Sequence, residues 1–78
     1  MQMRLYSTWG CHLCEQAEQL LLQAGLAGAV EIIDIVDDPE SFQRYRVHIP
    51  VFKVKDQELF WPFDLAQIQQ LLEQSSGQ

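Results

Sequence analysis

Basic side chains are scarce in this chain: five Lys and Arg stand against eleven Asp and Glu, a net charge of −6. Sequence-independent binding of nucleic acid needs several phosphate-neutralising cations on one face, so nucleic acid is not an expected partner. Long apolar runs are missing as well. The longest uncharged apolar stretch, Leu20 to Val30, is far shorter than the roughly 20 residues of a membrane span, so no membrane partner is expected. Met1-Gln2-Met3-Arg4-Leu5-Tyr6 has no charged region followed by an apolar one, so no signal peptide is expected and the expected location is cytoplasmic. There are no repeats, low-complexity segments or internal linkers. Cysteine is rarer still. Two cysteines are too few for a disulfide-stapled secreted domain. No second pair of Cys or His stands at zinc-finger spacing, so one chain cannot close a four-ligand zinc site.

What is present fits one small globular domain: 78 residues, 47% apolar and 21% charged. A chain this short buries only about 60% of its unfolded surface, which leaves little room for an enclosed ligand cavity. Its chemistry is expected on a few surface groups. The domain is expected over residues 1–74, with 75–78 as a frayed tail.

Met1, Met3 and Leu5 alternate with Gln2, Arg4 and Tyr6, the period of a first strand. Ser7-Thr8-Trp9-Gly10 breaks it. From Cys11 the period becomes helical, with Leu13, Ala17, Leu20, Leu21 and Ala24 on one face and Glu15 and Glu18 mostly opposite. Gly25 is placed as a left-handed C′ residue, with Leu26 behind it to touch Leu21 in a Schellman ending. Val30 to Val36 is rich in β-branched residues and reads as a second, largely buried strand. Asp38-Pro39 opens a short helix through about Arg46, with Phe42 and Tyr45 as its inward pair. Val51–Lys55 and Glu58–Trp61 read as an antiparallel hairpin turning at Asp56-Gln57. Asp64-Leu65-Ala66-Gln67 is a capping-box pattern, Phe63 and Ile68 are placed as a hydrophobic staple, and Leu65, Ile68, Leu71 and Leu72 mark a last helix. The expected fold is therefore α/β, ordered β-α-β-α-β-β-α, with a four-stranded mixed sheet and helices on both faces.

The chemistry is expected at Cys11-His12-Leu13-Cys14. A disulfide here closes the shortest of loops and contributes about 2 kcal/mol on the chain-entropy model, against roughly 3 for a 15-residue loop. A structural staple is therefore a poor reading, and reactive chemistry in a reducing compartment a better one. Cys11 falls where a loop enters a helix, and the free N–H groups and helix dipole there stabilise a thiolate. Cys14 lies one turn further in, close enough to attack a mixed disulfide formed on Cys11. The bland alternative is two unreactive small hydrophobes on a helix.

Strand, loop, C-x-x-C at a helix start, then β-α-β-β-α with Ile49-Pro50 before the third strand resembles a glutaredoxin of the thioredoxin superfamily. The likeness runs from Met3 to about Leu72. Trp61-Pro62-Phe63-Asp64 after the fourth strand is similar to a small glutaredoxin-like family of short bacterial proteins. The resemblance implies Cys11 and Cys14 as catalytic thiols. It also implies a cis peptide bond before Pro50, with Pro50 beside the pair and the Ile49 backbone free to bind substrate. Without the family, Pro50 reads as a strand-entry proline. Trp9 and Trp61 are candidates for an apolar rim around the cysteines, with core packing as the plain alternative. His12, if charged, would modulate the Cys11 thiolate, or it is simply an exposed polar residue. His48 is assigned no role.

The chain also departs from ordinary glutaredoxins. His12-Leu13 replaces their Pro-Tyr. Trp61-Pro62-Phe63 stands where they have a Gly-Gly pair that admits glutathione. Ser7-Thr8-Trp9-Gly10 offers no Lys or Arg for a glutathione carboxylate. Asp64 aligns with their Asp for the glutathione amino group, yet its capping role explains it fully. The leading expectation is a monomeric thiol-disulfide oxidoreductase of cell redox homeostasis. It would act on protein or small-molecule disulfides, with no cofactor, glutathione as a candidate co-substrate and glutathione or thioredoxin reductase as candidate electron donors. Two other classes stand beside it: a thiolate-ligated metal or iron–sulfur carrier between two chains, and a non-catalytic thioredoxin-fold interaction module.

Overall fold

β1 (Met3–Ser7) is the strand around which the rest is arranged, in a computed structural model that describes residues 2–26 and 28–76. The sheet order is β2-β1-β3-β4. β1 pairs in parallel with β2 (Val30–Asp34), from Met3 opposite Val30 to Ser7 opposite Asp34. On its other side β1 pairs antiparallel with β3 (Val51–Val54), from Met3 opposite Val54 to Tyr6 opposite Val51. β3 turns into antiparallel β4 (Gln57–Phe60). Three α-helices complete the fold: α1 (His12–Gln23), α2 (Pro39–Tyr45) and α3 (Leu65–Ser76). This is the element order that the sequence implies.

The pleat of β1 divides the core in two. Met3 and Leu5, with Phe52 and Val54 of β3, meet Ala17 and Leu21 of α1 and Ile68 and Leu71 of α3. Tyr6 and Val51 point to the opposite face, where they pack with Ile35 and with Tyr45 of α2. Each fully buried side chain of this kind contributes about 1.5–3 kcal/mol of transfer free energy, so the larger cluster dominates.

Gly25 has φ +78, and Leu26 N–H donates to Leu21 C=O (2.9 Å) while Gly25 N–H donates to Leu22 C=O (3.0 Å). The Schellman ending is therefore formed. The capping box is formed too: Gln67 N–H donates to Asp64 Oδ1 (2.8 Å), and Asp64 N–H donates to Gln67 Oε1 (3.0 Å).

Several expectations need correction. β2 ends at Asp34, two residues early, because the Asp34 carboxylate accepts Val36 N–H (3.0 Å) and starts a 3₁₀ turn over Ile35–Asp37. Nor is β2 largely buried. It is an edge strand, and Ile32 is 47% exposed. The hairpin turns at Lys55-Asp56, one residue before the expected place, since Val54 pairs with Gln57 and Lys55 takes the left-handed conformation (φ 55). Leu13 and Phe42 face solvent instead of the core. The expected tail is helical through Ser76, with Ser75 buried and its carbonyl accepting Lys55 Nζ (2.9 Å). Residues 77 and 78 of that tail, and Met1 of the first alternation, lie outside the described residues.

Candidate active site at the start of the first helix

The site begins where β1 runs out. Gly10 takes φ +78, a conformation open to glycine, and turns the chain from the sheet into α1. Cys11 follows in extended conformation (φ −92, ψ 112) as the N-cap residue. Its Sγ accepts the backbone N–H of Cys14 (3.2 Å) and its carbonyl accepts Glu15 N–H (3.1 Å). A thiol sulfur thus occupies the place usually filled by a Ser, Thr, Asp or Asn oxygen. Both cysteines are free thiols.

Their surroundings differ sharply. Cys11 is partly exposed, whereas Cys14 is only 2% exposed. Burial pushes the Cys14 thiol up to about 12, with its hydrogen bond to the Cys11 sulfur adding to the rise and a backbone contact from Thr8 opposing it. The inner thiol therefore holds its proton at neutral pH, and the outer sulfur already faces the first-turn N–H groups.

A cavity of about 270 Å³ opens beside the pair, on the β2 side. Both cysteines line it, with Trp9, Glu15, Glu18, Ile32 and Asp34 among the other walls. Trp9 is 91% exposed, so its ring stands in solvent as a rim. Asp34 Oδ1 accepts Thr8 Oγ1–H (3.3 Å), which ties the Cys11 loop to β2. His12 is exposed, its Nδ1 3.7 Å from Glu15 Oε2.

The remaining expected site residues lie on the β3 side. The Ile49–Pro50 peptide bond is cis, as the family likeness implies. Since Tyr6–Val51 is the last β1–β3 pair, Pro50 sits at the same end of the sheet as the Cys11 loop. Ile49 N–H is not free for substrate, because it donates to Tyr45 C=O (3.0 Å) at the end of α2. Pro50 C=O accepts Trp61 N–H (3.3 Å). A second cis bond, Trp61–Pro62, was not foreseen. Trp61 packs edge-on to buried Phe63 (centroids 5.1 Å apart) and against the main core. Asp64 is held in the capping box. Neither Trp61 nor Asp64 lines the cavity beside the thiols.

Sequence reasoning missed four walls of that cavity. Glu15 and Glu18 stand at i+4 and i+7 from Cys11, a spacing that sets all of them, with Cys14, along one stripe of helix. That signal was readable. Ile32 and Asp34 reach the site only through the parallel register of β2, which no local pattern fixes. Among the described residues, no group of three or more His, Cys, Asp and Glu is arranged to hold a metal ion, and no helix is long and apolar enough to cross a membrane.

A mixed β2-β1-β3-β4 sheet with C-x-x-C opening its first crossover helix defines a protein of the thioredoxin-like class. Residues 2–73 match the model of the glutaredoxin-like domain (DUF836), and the chain belongs to that family. It is similar to a Northeast Structural Genomics target protein from X. campestris, with 37% identity to both its X-ray and its solution structure. The X-ray structure gives a TM-score of 0.81 over 92% of this chain and 96% of that one. The solution structure gives 0.80 over 95% of each. Among curated proteins, none matches.

Proposed function

We propose that this protein is a thiol-disulfide oxidoreductase acting through the Cys11–Cys14 dithiol. The observation that carries the reading is the asymmetry of the pair: a partly exposed cysteine whose sulfur caps a helix start, backed by a buried thiol that keeps its proton. Cys11, as thiolate, attacks one sulfur of a substrate disulfide. A Cys11–substrate bond forms, the substrate S–S bond breaks, and the departing thiolate takes up a proton. Cys14 then gives up its proton and attacks Cys11 Sγ, releasing the second substrate thiol and leaving a Cys11–Cys14 disulfide. Two electrons have passed to the substrate. An external thiol reductant restores the pair, with glutathione and thioredoxin reductase as the donors to compare.

Weak seating of glutathione on the β3 side belongs to this reading, since Trp61-Pro62-Phe63 stands where ordinary glutaredoxins carry a Gly-Gly pair and Trp61 is only partly covered there. The test is single-turnover reduction of a peptide disulfide by the reduced protein, with Cys11→Ser as control. Reduction that matches the control would overturn the reading. Anaerobic purification with metal analysis and sizing tests the carrier alternative, which requires bound metal and a dimer.

A further inference from the structure

We infer that the cavity beside the thiols selects disulfides flanked by positive charge, such as a peptide disulfide with Lys or Arg next to its cysteine. This rests on the exchange reading above and names its substrate class. The cavity is a site because both cysteines line it and the uncovered Trp9 ring borders it; its charges decide what it receives. Three carboxylates, Glu15, Glu18 and Asp34, line it, and among the described residues no Lys or Arg does. Trp9 and Ile32 supply the apolar surface along which the methylene stem of a long basic side chain lies while its head meets carboxylate.

The distribution of charge over the molecule sharpens the point. A different hollow of about 240 Å³ on the α2 face of the sheet has mixed charge: Arg4, Arg44 and Lys53, three of the five basic residues, line it with Asp38 and Glu40. Of the two hollows, the one at the thiols is lined by charge of a single sign, so anions are repelled there. The carboxylates do not serve to activate sulfur, since negative charge beside a thiol opposes its ionisation. Glu18 in fact adds to the rise at Cys14. Their effect falls on the incoming group. Clefts lined by one sign of charge raise association rates of the opposite sign by about 10-fold or more at low salt, and ions screen the effect over about 10 Å at 0.1 M.

The test is single-turnover reduction of three small disulfides by the reduced protein: cystamine (cationic), 2-hydroxyethyl disulfide (neutral) and dithiodiglycolate (anionic). Each rate is divided by the rate with free dithiothreitol, which removes intrinsic differences in disulfide reactivity. The expected order is cationic over neutral over anionic. The cationic-to-anionic ratio should be about 10 or more at low salt and should collapse toward unity at 0.5 M salt. The Glu15→Gln/Glu18→Gln variant, altered only on the exposed helix surface, should lose most of that ratio. A ratio near one that salt does not move, or a preference for the anion, would overturn the inference while leaving the exchange reading intact. Failure to reduce any of the three would overturn both.

Discussion

α1 and α3 both begin on a side chain that caps the helix, but the two caps are built differently. At α3, Asp64 and Gln67 satisfy each other's backbone N–H groups at 2.8 and 3.0 Å. At α1 a single sulfur accepts one N–H at 3.2 Å, and nothing reciprocates. Oxygen caps stabilise a helix by about 1 kcal/mol, whereas sulfur is a weak acceptor. The start of α3 is built for holding. The start of α1 has a weaker cap and places a polarisable sulfur at the positive end of a helix.

The largest expected effect comes from Cys11→Ser. Exchange should fall to the level seen without protein, while the denaturation midpoint holds or rises, because a hydroxyl caps better than a thiol. A clear drop in stability, read by urea titration, would break the comparison by showing that the sulfur cap is also structural. The mirror experiment is Asp64→Ala, which should destabilise by about 1 kcal/mol and lower the melting temperature by roughly 4–8 °C. With a small dithiol supplying electrons, its exchange rate should track the folded fraction. A selective loss of glutathione-driven turnover would give Asp64 a ligand role beside its cap.

A third effect concerns protons. Cys14 is raised from 9.0 to about 12 and Tyr45, buried and bonded to Glu58, from 10.0 to about 12. The folded form keeps both protons where the unfolded chain releases them. Their contribution to stability is therefore intact below about pH 9 and is lost as pH rises toward 12. Chemical denaturation at pH 8 and pH 11 should show the loss, and Cys14→Ala should reduce it. For the same reason, iodoacetamide at pH 7–8 should label Cys11 first by mass spectrometry, and preferential labelling of Cys14 would reverse the assigned roles. The smallest effect is expected at His12, whose long contact with Glu15 is fully exposed. His12→Gln should change stability by less than about 0.5 kcal/mol. Parallel pH–rate profiles for wild type and variant from pH 5.5 to 8 would confine His12 to the surface. Divergence would make it a modulator of Cys11.

Local chemistry was the legible part of the sequence. The Schellman glycine, the Asp64–Gln67 box and the C-x-x-C at a helix start are each written within a few residues, and each is formed as read. What misled were positions whose environment depends on distant neighbours. Ile32 looks like core because it is β-branched, yet β2 is an edge strand and half its surface stays in water. Phe42 has helical spacing for burial, but α2 has only seven residues and turns Tyr45, not Phe42, onto the sheet. The resemblance implied a free Ile49 backbone, but its N–H is taken by the Tyr45 carbonyl at the end of the preceding helix, which no local pattern announces. The acidic wall of the cavity was half visible, in the helical stripe of Glu15 and Glu18, and half hidden in the parallel register that brings Asp34 across from Ser7.

The two tryptophans carry a consequence of another kind. Trp9 stands in solvent at the rim of the thiol cavity, and Trp61 lies partly covered against Phe63. Indole emission shifts to the red in water and is quenched by a nearby disulfide. Joining Cys11 to Cys14 should therefore dim the red-edge light from Trp9, while the bluer emission of Trp61 stays nearly constant. Acrylamide, which reaches an open ring more readily than a packed one, separates the two signals. On the exchange reading, Trp9 should serve as a fluorescent gauge and Trp61 as its internal reference, so that the oxidation state of the pair is read in a cuvette without any dye.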